Sequence, residues 1–224
     1  MKVMLVAILA LGTSSAFAQN LTKAQFSSLL QGKKASLEAV HAGMSKSMVT
    51  IASMTLDDGT KCDYKQTAIQ TILGIEGEKM IIFSKEVFQP AAKAECQAAG
   101  LEPFSEDVLF YEAKPSLAQD LQDLNQSDVK SISKAGEIVT MTVGGTMTNA
   151  DGTASAELLT VKYDLTKSSF RNMIFSQNSV FKTETIDSAD VDVNSVNLTD
   201  VVFCASDDSD TQDCVRGDFS DILF

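Results

Sequence analysis

The residues best suited to holding a cation lie near the C-terminal end, in "CASDDSDTQDCVRGD" from Cys204 to Asp218. Here Asp207, Asp208, Asp210 and Asp213 sit inside a ring that Cys204 and Cys214 would close. A calcium loop needs oxygen ligands at alternate positions, a glycine at the sixth and a bidentate carboxylate at the twelfth. Counted from Asp208, Asp210 fits the third position, but the sixth is Asp213 and the twelfth is Phe219. The series fails, so the segment reads as a solvated acidic loop clasped by a disulfide, with no metal assigned. Arg216-Gly217-Asp218 reads as an exposed loop after the clasp.

A second constellation is softer. His41, Met44 and Met48 recur at i, i+3 and i+7, a spacing that would align them on one helical face, and thioether sulfur suits Cu(I). The same positions extend an apolar stripe from Leu37, so the segment reads as core packing. His41 is the only histidine, which excludes any site built on two imidazoles. Ser131 and Lys134 satisfy S-x-x-K, but the S-D-N and K-T-G partners of the penicillin-recognising enzymes are missing, as is a G-x-S-x-G elbow. The segment around Ser131 reads as a turn before a strand. No glycine-rich phosphate loop or dinucleotide fingerprint occurs, and Gly144-Gly145 reads as a strand bulge. Acidic pairs could hydrolyse glycosidic bonds. However, the chain has no tryptophan and three tyrosines, which leaves few platforms for sugar rings. The reading is non-catalytic, with no cofactor.

The four cysteines favour two disulfides in an oxidising compartment; zinc is the alternative that the lack of a close C-x-x-C pair disfavours, and of the three open pairings Cys62–Cys96 and Cys204–Cys214 is the expected one. Their rings of about 35 and about 11 residues are worth roughly 4 and 3 kcal/mol on the chain-entropy scale. The N-terminus agrees with that compartment. Lys2, the apolar run Val3 to Leu11 and the small-x-small Ala16-Phe17-Ala18 form a signal peptide over residues 1–18, cleaved after Ala18. Residues 19–224 are then a single domain, periplasmic or secreted, without a membrane anchor. Removing Lys2 with the signal takes the side-chain balance from −12 to about −13. Such a chain repels phosphate backbones, so nucleic acid and anionic membrane surfaces are poor partners for it.

Those chemical groups must be carried by a scaffold. From Thr22 to about Met48, Phe26, Leu30, Leu37, Val40 and Met44 recur at sums of three and four, the stripe of an amphipathic helix. "SMVTIASMTLDDGTKCDYKQTAIQTILGIEGEKMIIFSKEVF" reads as a meander turning at Asp58-Gly59 and around residues 74–78. Short helices follow Pro90 and Pro115. A hairpin turns at Asp151-Gly152, a strand pair follows, and Val191 to Phe203 reads as a last bulged strand. The fold class is α+β: a curved antiparallel sheet or half-barrel covered on one face by an N-terminal helix and two short helices. In this order of elements the chain resembles the exported lipoprotein-carrier and lipid-binding folds. That resemblance implies an apolar cavity beneath helices.

The functional expectation is a carrier or binding protein. It would hold an apolar ligand or acyl chain in a groove near Phe26, Leu30, Leu37, Met44, Ile82, Phe83 and Met141. The alternative is an envelope or secreted module that contacts another protein through surface loops, residues 204–218 among them. A cavity that side chains leave unfilled favours the first reading, and an exposed apolar patch on a solid core the second.

Overall fold

A computed structural model describes residues 18–32, 40–148, 154–167, 173–179, 182–204 and 214–221. The proposed signal segment before Ala18, Leu37, the turn at Asp151-Gly152 and the four clasp aspartates lie outside the described residues.

The chain opens with β1 (Gln19–Asn20) and α1 (Lys23–Gln31). Thr22 caps α1: its Oγ1 accepts from the Gln25 backbone N–H at 3.2 Å, while Gln25 Oε1 accepts from the Thr22 N–H at 2.8 Å. Three long strands follow as a meander, β2 (Met44–Thr55), β3 (Lys61–Glu76) and β4 (Lys79–Pro90). After α2 (Ala94–Ala98), β5 (Phe104–Ala113) completes this half. Helix α3 (Leu117–Gln126) leads into a second meander of β6 (Asp128–Ala135), β7 (Ile138–Thr148), β8 (Ala154–Asp164), β9 (Ile174–Asn178) and β10 (Lys182–Asp190). A 3-10 turn (Val193–Ser195) and strands β11 (Val201–Cys204) and β12 (Val215–Gly217) end it.

Among the described residues twelve strands form one sheet, ordered β1-β6-β7-β8-β9-β10-β2-β3-β4-β5-β11-β12. The two meanders join where β10 pairs with β2 from Lys182↔Ala52 to Asp190↔Met44. Every pairing is antiparallel except β11 with β5, where Val202 faces Val108. β5 and β6 are eight strand steps apart, or roughly 38 Å in a flat sheet. The ten residues of α3 rise about 15 Å, and the few extended residues beside it bring the reach to about 30 Å. The sheet therefore bends toward the face that carries α3.

Three clusters hold the fold together. On the helix-bearing face, Phe26 and Leu30 of α1 and Leu124 of α3 pack with Ile132, Val139, Met141, Val161, Tyr163, Leu165 and Met173. Lys23 ties the two helices by donating from Nζ to the carbonyls of Asn125 (3.1 Å) and Ser127 (2.6 Å) at the end of α3. On the opposite face the tail covers the other half of the sheet: Leu198 and Val201 bury Leu73, Ile81, Phe83 and Leu109, with Phe203 and Phe219 alongside. The third cluster returns to the helix-bearing face, where Met80, Ile82 and Phe110 surround Cys204.

The α+β expectation is corrected by this architecture. The protein is mostly β, a mixed sheet with about three helices, and no N-terminal helix covers a half-barrel. Within the described residues α1 ends at Gln31, and Met44 to Met48 lie in β2. A spacing of four satisfies both the helical period and the strand period of two, so Met44 and Met48 share a face either way. The β-branched run "VTI" that follows decides for strand. The cluster under α1 and α3 is built on β6 to β8 and the start of β9, while α2 is tied to β3 by Cys62–Cys96. The expected last strand from Val191 begins only at Val201, after a 3-10 turn (Val193–Ser195) and irregular chain. The expected bulge at Gly144-Gly145 lies across from them, between Val129 and Ser131 of β6. There a Cβ on Gly144 would come within 2.6 Å of Lys130 Cε.

Candidate functional site

Successive residues of a strand point to opposite faces, so the register sorts side chains into rows on the helix-bearing face. Ile72, Ile82 and Phe110 form the first row, with Met44 at the head of β2. Lys46, Gln70 and Ser84 form the second, and Met48, Ala68 and Glu86 the third. The fourth is Glu184, Thr50, Gln66, Phe88 and Phe104. The face thus runs from apolar to polar along the strands.

Over the first row opens a cavity of about 150 Å³. Met44, Ile72, Met80 and Ile82 supply apolar lining from three adjacent strands. Val40 and Pro115 line it from the segments that enter β2 and leave β5, and Ser45, Lys46, Gln70 and Glu112 supply its polar margin. An apolar cavity near this volume admits a benzene-sized molecule. The Cys204–Cys214 bridge packs beside it against Met80, Ile82 and Phe110, which makes the clasp part of the neighbouring core.

A second depression of about 200 Å³ covers the third and fourth rows, lined by Met48, Thr50, Tyr64, Gln66, Ala68, Gln70, Glu86, Lys182 and Glu184. Gln70 lines both spaces, so they are neighbours along β3. The depression exists because Ala68 is small between Met48 and Glu86. Its charged groups have partners inside it, although one lysine stands against two carboxylates. Lys182 Nζ meets Glu184 Oε1 at 2.5 Å, and Glu86 accepts from Gln66 Nε2 and Ser84 Oγ, both at 3.4 Å. The Tyr64 ring lies 5.2 Å from Phe88, which stacks on Phe104 at 5.4 Å, so a row of three aromatic rings borders the depression.

The expected groove residues divide among these places. Met44 and Ile82 line the 150 Å³ cavity. Phe26, Leu30 and Met141 are buried together in the packed cluster under α1 and α3. Phe83 lies on the opposite face beneath the tail. Sequence reading missed Val40, Ile72, Met80 and Pro115. Alternation along "AIQTILGIEGEKMII" was the available signal, but it does not say which face is covered.

The other motifs resolve simply. Both disulfides form as expected, Cys62–Cys96 and Cys204–Cys214. His41 stands in the turn before β2, with Nε2 3.2 Å from Asp190 Oδ1, and its backbone N–H points to Met44 Sδ. Ser131 and Lys134 lie on β6, three residues apart and hence on opposite faces, where they cannot act together. Arg216-Gly217-Asp218 is not the expected free loop: Arg216 and Gly217 lie in β12, and Arg216 pairs with Glu106 of β5 (3.0 Å) and with Asp200 (3.3 Å). Asp218 accepts from the Ser220 hydroxyl and backbone, which hold its carboxyl below the usual range. Among the described residues no cluster of three metal-ligating side chains occurs.

The chain matches no known protein family, no characterised protein and no solved structure. Its two disulfides are compatible with an exported protein. Among the described residues no helix is long and apolar enough to cross a membrane.

Proposed function

We propose that this protein is a non-catalytic exported carrier that holds the apolar end of a small molecule in the cavity lined by Met44, Ile72, Met80 and Ile82. A single observation carries this reading: an unfilled apolar space over three adjacent strands, flanked by Val40 and Pro115. Burial there contributes about 25 cal/mol per Å² before the entropic cost of association. The space suits one short aliphatic chain rather than several acyl chains. A periplasmic or secreted location, with cleavage after Ala18, fits the disulfides and the N-terminal residues.

The competing reading, a surface that binds another protein, would rest on exposed apolar residues. Ile51 is 58% exposed, but Lys65 and Thr183 flank it across the sheet. Ile69 stands between Ser47 and Lys85. Those two are single apolar residues among polar neighbours, which is ordinary protein surface; Phe104, 48% exposed, stacks on Phe88 beside the second depression, and the unfilled space makes the cavity the preferred reading.

The test is native mass spectrometry of protein purified without detergent from its own source. A small-molecule mass released on denaturation supports the carrier. A bare chain that also fails to take up added short-chain alcohols refutes it.

A further inference from the structure

We infer that the 200 Å³ depression is the head-group half of the same site, and that the ligand is a single-tailed amphiphile with an uncharged, hydroxyl-rich head. This rests on the carrier reading of the first cavity. The geometry supplies the connection: Gln70 lines both spaces, and the rows of β2 and β3 change from Met44 and Ile72 to Thr50 and Gln66 over about 20 Å of strand.

The chemistry of the head follows from what the depression leaves available. Lys182 is matched by Glu184, and Glu86 is held by Gln66 and Ser84. The side chains of Thr50, Tyr64 and Gln70 make no hydrogen bond to another described residue. They offer a hydroxyl, a phenol and a carboxamide, which are neutral groups that both donate and accept. Over the joined site two lysines, Lys46 and Lys182, face three carboxylates, Glu86, Glu112 and Glu184, which leaves it net negative in a chain of net charge −12. A sulfate, phosphate or carboxylate head is repelled there. A polyol meets neutral partners, and the ring of Tyr64, held against Phe88, gives it an aromatic border.

The experiment compares 1-hexanol, hexyl β-glucoside and hexyl sulfate by calorimetric titration into the full chain, alongside Thr50→Val and Ala68→Met. The expected result is that the glucoside binds at least tenfold tighter than hexanol, and the sulfate no tighter than hexanol. Ala68→Met fills the depression and returns the glucoside to the affinity of hexanol. Thr50→Val weakens the glucoside about threefold, and neither change moves hexanol. If hexanol binds but the glucoside gains nothing, or the sulfate binds tightest, the head-group inference alone is overturned. If hexanol does not bind, the cavity reading falls and takes the head-group inference with it. Should Ala68→Met misfold, the comparison of the three probes on the unaltered chain decides.

Discussion

Gly43 and Val191 meet where the two meanders join. The Val191 N–H donates to the Gly43 carbonyl at 2.8 Å, and a Cβ on Gly43 would lie 2.7 Å from the Val191 carbonyl oxygen. Gly43 also has φ +93°, a conformation that L side chains rarely adopt. The contact fixes the entry to β2, and with it Val40 and Met44 at the cavity. Gly43→Ala is expected to cost about 1–3 kcal/mol, read from urea denaturation midpoints, and to weaken ligand uptake. An unchanged midpoint would show that the junction tolerates a side chain.

The two disulfides should contribute unequally. Cys62–Cys96 closes the longer loop and ties α2 to β3 with both cysteines buried, whereas Cys204–Cys214 closes a short one. Replacing the first pair with serine should cost about 4 kcal/mol and the second about 3 kcal/mol. Peptide mapping without reductant checks the pairing, and denaturation of each double mutant checks the order.

Tyr163 makes the fold sensitive to alkali. Burial, and secondarily the charge of Asp120, push its phenol well above the ordinary value. The unfolded chain ionises this tyrosine first, near pH 10, while the folded chain keeps it neutral. Its contribution is fully present below about pH 10 and is lost as pH rises through the folded value, by up to about 1.4 kcal/mol per pH unit. Melting temperatures between pH 8 and 11.5 should fall more steeply for the native chain than for Tyr163→Phe. Parallel curves would contradict the assignment.

How far the sequence could be read follows from which features are local. The meander of β2 to β4 is legible because Asp58-Gly59 and Gly77 interrupt alternating apolar runs, and Gly59 (φ +83°) and Gly77 (φ +61°) take left-handed turn conformations. That the cysteines pair is legible from their even number and the compartment, whereas the sequence permits three pairings and does not choose among them. The parallel return of β11 beside β5 is not, because residues 108 and 202 meet through no local pattern. The apolar spacing of Phe26, Leu30 and Met44 is shared by helix core, strand core and cavity wall, so periodicity alone could not separate a filled cluster from an open one.

That separation has its own consequence. Leu30 is fully buried between α1 and the sheet, so Leu30→Asp places an unpaired carboxylate in a packed core. It should lose cooperative unfolding altogether, as seen by near-UV circular dichroism. Ile82→Val, at the cavity, should cost about 0.5–1.5 kcal/mol and leave the fold intact.

The central claim is that the space lined by Met44, Ile72, Met80 and Ile82 takes an apolar chain. Its most direct test is a methyl-labelled NMR titration with 1-hexanol. Saturable shifts are expected at the methyl groups of Val40, Met44, Ile72, Met80 and Ile82, with those of Met141 and Leu30 unmoved. Shifts confined to the exposed Ile51 and Ile69, or no saturable shift at all, would contradict this.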